Sequence, residues 1–345
     1  MTSIFIFISG ATLLVYSAEK LIGFLVDASR GLKISVFLLA IIFTGIEFDD
    51  IVLGVALNLE GLQGVALGLV LGTAVSFTGV VLALGAIIAP TEAHIPRDYI
   101  AIFALAPLAM VAFALTEPIT KADGAILLAI FAAFLVYIAV KEHRRETATF
   151  RNLEVLEELD GDDDGDGPED RVRAQAVSTM MPHDGRHRLS GWINLALAIV
   201  ALVGIIIGAA TMSTGTEGIL DEYGIEGTVF GATIVTAVLA VEDLFLTVQP
   251  IRRGVPEIGI GNVIGSLVFS VTGKLGIVVL AGGSIAVGSN VLRWHLPALM
   301  LFTAAAAYFL STGQLKRWHG YVLLGFYVAY WILSFIVYGG APVED

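Results

Sequence analysis

Three carboxylates stand within four residues at Glu47, Asp49 and Asp50, in the hexapeptide Gly45-Ile46-Glu47-Phe48-Asp49-Asp50, and the sequence on either side is apolar. A second acid pair, Glu242-Asp243, follows Ala240-Val241 inside another apolar run. Oxygen ligands of this kind suit hard divalent cations such as Ca2+ or Mg2+, and Mn2+ accepts the same carboxylates. A charge left bare at the centre of a bilayer costs at least about 2.5–3.5 kcal/mol even on the lenient insertion scale. Five acids without counter-charge cannot all ionise in a dry site, so protons, water or bound cations must accompany them. On a helix, Glu47 and Asp50 share a face while Asp49 is turned by about 100°. Glu242 and Asp243 repeat that split.

Hydroxyls that could complete a coordination shell are Thr44, Thr73, Ser76, Thr236, Ser266 and Ser270, with Asn262 a weaker candidate. Any one of them serves equally well as a helix-packing group. Lys274 lies inside an apolar run eight residues past Ser266. It is read either as a tethered cation, an internal counter-charge for the acids, or as a side chain that snorkels to an interface. Glu19 and Lys20, within the first apolar run, pair or reach headgroups. His94, His143, His183, His187, His295 and His319 fall in loops or at span ends without metal-ligand spacing, and surface roles are expected for them.

The elements that must carry these residues follow from composition. Of 345 residues, 57% are hydrophobic and only 15% charged, and the mean hydropathy is +0.86. Many segments stay apolar for about 18 residues or more, the length that spans a hydrocarbon core. The fold class is an all-α polytopic membrane protein; a β-barrel would alternate polar and apolar positions. With no cysteine there is no disulfide or thiolate chemistry. A net charge of −13 argues against nucleic-acid partners. The first apolar stretch lacks a basic lead-in and is expected to be a mature helix rather than a signal peptide.

Spans are expected at 3–27, 33–58, 63–89, 99–116 and 123–140, then at 191–212, 227–250, 256–282, 293–311 and 318–338. About ten transmembrane helices thus fall into two sets of five, 1–140 and 191–345, around a polar segment, 141–190. Lys and Arg gather on one side, at Arg30 and Lys33, Arg97, Lys141 to Arg151, Arg252-Arg253 and Lys316-Arg317, with Arg293 dissenting. The expectation is a cytoplasmic central loop and both termini outside. Residues 160–170 begin like a calcium-binding loop, but Arg171 stands where that loop needs a carboxylate. A solvated acidic linker is the simpler reading, with calcium sensing as the alternative.

Phe43 to Gly72 superimposes without a gap on Thr236 to Gly265 at a constant offset of 193. Asp49-Asp50 then falls on Glu242-Asp243, Gly61 on Gly254, Gly68 on Gly261 and Gly72 on Gly265. Internal duplication explains these matches. Each copy has an odd number of spans, so the copies point oppositely through the bilayer, the plan of inverted-repeat transporters with a midplane site. Asp50 and Asp243 should face each other across the pseudo-twofold axis. Glu47 should line the same cavity, and Asp49 and Glu242 its edge.

These residues resemble the calcium/cation antiporter superfamily, the group that includes the sodium/calcium exchangers. Each repeat of that family carries a motif close to GTSLPE, an R/K-G turn, and a G-N-V-I-G-S-N helix. The second copy here has Val238 to Asp243, Arg253-Gly254 and Gly261-Asn262-Val263-Ile264-Gly265-Ser266; the first has Gly45 to Asp50, Gly61 and Gly68 to Thr73. By position, Asp50 and Asp243 take the place of the family's ion-binding Glu, and Asp49 and Glu242 that of its Pro. Ile46-Glu47 and Leu239-Ala240 replace its sodium-holding Thr-Ser pair, and Phe77 and Ser270 fall where it has Asn or Asp. The resemblance implies a strongly charged cation site that lacks those sodium ligands.

The expected function is secondary antiport of a divalent cation, Ca2+ against Na+ or H+, by alternating access. A Mg2+ or Mn2+ exchanger of the same fold is the alternative, and a passive channel the weaker rival. An intramembrane aspartyl protease would need Y-D and G-x-G-D signatures around Asp50 and Asp243, and neither is present. No phosphate-binding loop supports an ATP-driven pump. No cofactor is expected. The partners are the lipid bilayer and small inorganic cations, the expected location is a prokaryotic plasma membrane, and the sequence assigns no oligomeric state.

Overall fold

In lipid every backbone amide must be satisfied within its own segment, which leaves long apolar runs no choice but helix. The computed structural model describes residues 2–32, 46–93, 95–142, 191–252 and 256–338. Ten helices follow among them. The first five are α1 Thr2–Leu32, α2 Phe48–Leu59, α3 Gln63–Ile88, α4 Arg97–Ala114 and α5 Lys121–Glu142. Then come α6 Gly191–Tyr223, α7 from Gly227–Phe230 into Thr236–Arg252, α8 from Pro256–Val268 into Leu275–Gly282, α9 Val291–Ser311 and α10 Arg317–Tyr338. Seven of these, α3 to α6 and α8 to α10, are long and apolar enough to cross a membrane. By that measure α1 and α7 offer shorter apolar stretches, Thr2–Ser17 and Gly227–Ala240. The expected span 33–58 is described only from 46 onward.

Three boundaries differ most from expectation: α1 continues to Leu32, past the expected 27; α2 starts only at Phe48, inside the expected span 33–58; and α6 runs past the expected 212. The acidic stretch from Thr214 was expected to be a loop, yet α6 continues to Tyr223. Gly215 and Gly218 explain the extension, because a Cβ on either would stand 2.4 Å from the Phe7 backbone nitrogen and 2.6 Å from the Ser3 hydroxyl. The helix is held by close packing on α1 that a simple hydropathy reading misses.

Small residues set the helix directions. Along α1, Phe7, Gly10, Leu14 and Ser17 meet Gly215, Met212, Gly208 and Gly204 of α6 in turn, so these two helices run antiparallel. Gly64, Gly68 and Gly72 of α3 meet Thr228, Ala232 and Thr236 of α7 in rising order, so those two run parallel. The second half of α3 lies antiparallel to α10 through Gly79 on Tyr327 and Gly320 on Ala83. The second half of α8 does the same with α5, through Gly276 on Gly124 and Gly273 on Phe131. α3 and α8 are therefore the central pair, almost wholly buried. The outer helices expose apolar side chains such as Ile199, Val203 and Ile206 on α6 and Ile332 and Ile336 on α10, a surface that suits lipid.

Two local devices stand out. The α2–α3 turn closes on Gly61 at φ 86°, with Leu62 N donating to Leu57 O (2.9 Å) and Gly61 N to Asn58 O (3.3 Å). This is a Schellman cap, and it needs a residue that tolerates the left-handed region. The second device is π-helical winding inside α3 at Phe77–Val81, α7 at Gly231–Val235, α8 at Phe269–Lys274 and the start of α9 at Val291–His295. Each extra residue turns the helix face beyond it by roughly 100°.

Short pairings tie the loops. Thr91–Glu92 pairs antiparallel with Gln314–Leu315, joining the segment after α3 to the α9–α10 turn. Ile119 and Ile285 form a bridge, which joins the α4–α5 turn to the segment after α8. Asn58, buried at the end of α2, donates through Nδ2 to Val278 O (3.1 Å) and Gly283 O (3.0 Å).

Candidate functional site

The first acid cluster sits where a helix begins. Glu47 is extended (φ −91°, ψ 96°) and precedes α2, with its carbonyl accepting from Ile51 N at 3.1 Å. Asp49 and Asp50 occupy the first turn. The expectation that Glu47 lies on the helix alongside Asp50 is thus corrected: it is the N-cap residue. A helix N-terminus presents unpaired amides and the positive end of the dipole, so three acids are better tolerated there than in mid-helix.

Lys274 is the residue that organises the site. It ends the π-helical segment of α8 and is completely buried. Its ammonium donates to Glu47 Oε2 and to Asp50 Oδ2. The Phe269 ring centroid lies 5.8 Å from the same nitrogen. Snorkelling is therefore not what this lysine does; its charge is held inside by the carboxylates of Glu47, the N-cap of α2, and Asp50 in its first turn. Asp50 is itself 3% exposed. Its Oδ2 also lies 2.9 Å from the Thr73 hydroxyl, which stands 2.8 Å from Leu69 O as well. One hydroxyl proton serves only one of these acceptors at a time. The network joins α2, α3 and α8, which are hundreds of residues apart in sequence at the lysine contact.

The other candidates distribute as follows. Asp49 is half-buried on α2 and Asp243 half-buried on α7. The Glu242 side chain, like Glu19, lies outside the described side chains, and Thr44 outside the described residues. The Thr236 hydroxyl donates to Gly231 O at 2.8 Å and packs against Gly72, which is helix packing. Ser266 is buried on α8. Ser76 and Ser270 are buried with hydroxyls that lack a hydrogen-bond partner among the described residues, and so is Glu47 Oε1. Each such orphan costs about 1–3 kcal/mol unless something else satisfies it. Ser76 lies three residues beyond Thr73, and Ser270 four before Lys274, so each is one turn from a member of the network. Asn262 donates to the Thr247 hydroxyl at 3.1 Å and links α7 to α8. Among the described residues, no three His, Asp or Glu side chains converge as a preformed metal site.

Two histidines depart from their expected surface roles. His295 is fully buried, with Nδ1 2.7 Å from the Tyr330 hydroxyl. His319 is 3% exposed, stacked on Phe309, and its Nδ1 accepts from Lys316 N at 3.2 Å. Both serve the packing of α9 against α10. His94, His143, His183 and His187, and the acidic stretch 160–170, lie outside the described residues.

The missed signal was the partnership of Lys274 with Glu47 and Asp50. A lysine eight residues past the GNVIGS motif in an apolar run, in a chain with surplus buried acid, was the only clue available to the sequence.

Comparison with known proteins adds the family. The model for the sodium/calcium exchanger protein family matches residues 2–140 and 193–336. The sodium/calcium exchanger MaX1 of Methanosarcina acetivorans is 31% identical over 140 residues, which is 40% of this chain and 40% of that one. An uncharacterized membrane protein, MJ0091 of Methanocaldococcus jannaschii, is 23% identical over 93% of this chain and 94% of its own length. Among solved structures, the sodium-calcium exchanger NCX_Mj soaked with 2.5 mM Na+ and 0.1 mM Ca2+ aligns with a TM-score of 0.57 at 20% identity. That alignment covers 98% of this chain and 99% of the other, and it shows likeness of fold.

Proposed function

The chain belongs to the sodium/calcium exchanger protein family, and from that premise we propose that it is a secondary antiporter exchanging Ca2+ for Na+ or H+ through its acidic cluster. The family is one of exchangers, so the reading is a transporter of small inorganic cations in a lipid bilayer and not an enzyme. The observation that carries the proposal is the buried Glu47–Asp50 pair between α2, α3 and α8, held only with a positive charge beside it. A bilayer interior tolerates such carboxylates where they serve a cation pathway.

The alternating-access part of the proposal needs two inverted copies, 1–140 and 191–345. Support comes from several independent features. At the offset of 193, α1 corresponds to α6, and they run antiparallel. The π-helical segment Phe77–Val81 corresponds, within a residue, to Phe269–Lys274. α10 on α3 has its counterpart in α5 on α8, and the Thr91–Leu315 pairing has its counterpart in the Ile119–Ile285 bridge. Oppositely directed copies would bring Asp50, in the first turn of α2, and Asp243, in the interior of α7, toward one midplane region. Asp49, Glu242, Thr73, Ser76, Ser266 and Ser270 are the further ligands of the proposal, together with Thr44 and Thr236. Orientation stays as the basic residues predict, with 141–190 cytoplasmic and the termini outside.

Ca2+ is the divalent ion in the family's description, which favours it over Mg2+ or Mn2+. The test is uptake into proteoliposomes of Ca2+, Mg2+ and Mn2+ in turn, each with an imposed Na+ or H+ gradient. Gradient-driven Ca2+ flux that is lost in Asp50→Asn and in Asp243→Asn is the expected result. Gradient-independent leak would make the protein a channel, and normal flux in both variants would remove the site.

A further inference from the structure

The ammonium of Lys274 stands on the two carboxylates that the proposed cation would need. When both are ionised, Glu47 and Asp50 carry two negative charges, and the lysine cancels one of them from within the protein. Nothing about the position is incidental. The side chain is fully buried, an aromatic face flanks it, and π-helical winding precedes it. The corresponding residue of the first half is Val81, which is buried and apolar, so the internal cation belongs to one half only. A hard divalent ion that takes these two carboxylates competes with an ammonium in contact with both, because like charges at that separation repel strongly in a low-dielectric site.

We infer that Lys274 is a specificity-determining residue, a tethered cation that competes with the mobile divalent cation for Glu47 and Asp50. Entry of the mobile ion then requires the ammonium to leave the carboxylates, and departure of the ion lets it return. The lysine lowers the negative charge of the unloaded Glu47–Asp50 pair by one unit. This sets affinity: the ion must outbid a ligand whose local concentration never falls, so binding is weaker than the carboxylates alone would give. It also sets valence, since the displaced pair offers two charges to one divalent ion. The inference rests on the proposed transport site and adds what occupies that site between turnovers.

The test compares wild type, Lys274→Gln, Lys274→Arg and Asp50→Asn, purified and reconstituted in full length. Half-saturating concentrations are read from flux and from ligand-dependent thermal shift, with Ca2+, Mg2+ and Mn2+ as the probes. Lys274→Gln should bind the best-transported ion at least tenfold more tightly, and Lys274→Arg should stay within a few-fold of wild type. Unchanged or weaker binding in folded Lys274→Gln overturns the inference. If Lys274→Gln fails to fold without divalent ion, the added ion must restore folding below the wild-type half-saturating concentration, and failure to do so also overturns it. Normal flux in Asp50→Asn would instead discard the transport site. Lost flux there with unaltered affinity in Lys274→Gln would discard only the role of the lysine.

Discussion

Removing the Asp50 charge tests the network most directly, because Lys274 and Thr73 both converge on its Oδ2. Asp50→Asn leaves the ammonium with Glu47 as its remaining carboxylate. Breaking a buried ion pair by deleting one partner costs about 3–5 kcal/mol. The surviving Glu47 contact puts this variant at the lower end, near about 3 kcal/mol. Lys274→Met is worse: it leaves two buried carboxylates and no cation, and belongs at about 5 kcal/mol on the same scale. The double variant keeps only Glu47, so its cost should fall well below the sum of the singles. The expected coupling is about 3 kcal/mol, the top of the range for residues in contact. The assay is denaturant unfolding in detergent, in divalent-free buffer, run as a double-mutant cycle. Additive costs in the cycle, or a Lys274→Met variant more stable than Asp50→Asn, would refute the electrostatic reasoning.

Two further outcomes test the frame around the site. Asn58→Ala removes both hydrogen bonds that tie α2 to the end of α8, and each unpaired buried group costs about 1–3 kcal/mol; a lowered unfolding midpoint with flux per folded molecule retained is expected. Gly68→Leu places a Cβ 2.3 Å from Thr228 O in the α3–α7 contact, so it should sharply reduce the folded yield by gel filtration, whereas the same change at Gly325, where a Cβ meets nothing within 4 Å, should not.

The helices were legible because apolar length and glycine punctuation are local signals. The runs 63–89 and 256–282 appear as α3 and α8 to within a residue. What failed depends on partners distant in sequence. The extension of α6 to Tyr223 rests on α1 filling its glycine notches. Spacing alone cannot place a helix start, so Glu47 reads as helical in the sequence, whereas its extended backbone makes it the cap. The sequence offers the internal counter-charge reading of Lys274, but spacing does not identify its two acid partners at the start of α2. The π-helical segments leave no periodic trace, yet one of them ends at the lysine. His295 and His319 look like span-end residues until α9 and α10 close over them.

The crosswise seating of α5 on α8 and of α10 on α3 bears on how the chain is made. α5 is complete at Glu142, but its seat starts only at Pro256. At ribosomal speeds of about 5–20 residues per second, α5 waits on the order of ten seconds in the bilayer before its neighbour is synthesised. The leading half therefore cannot finish assembling alone. Cutting the gene within 141–190 and expressing the pieces apart should give two half-products prone to degradation, whereas simultaneous production in one membrane should rescue both.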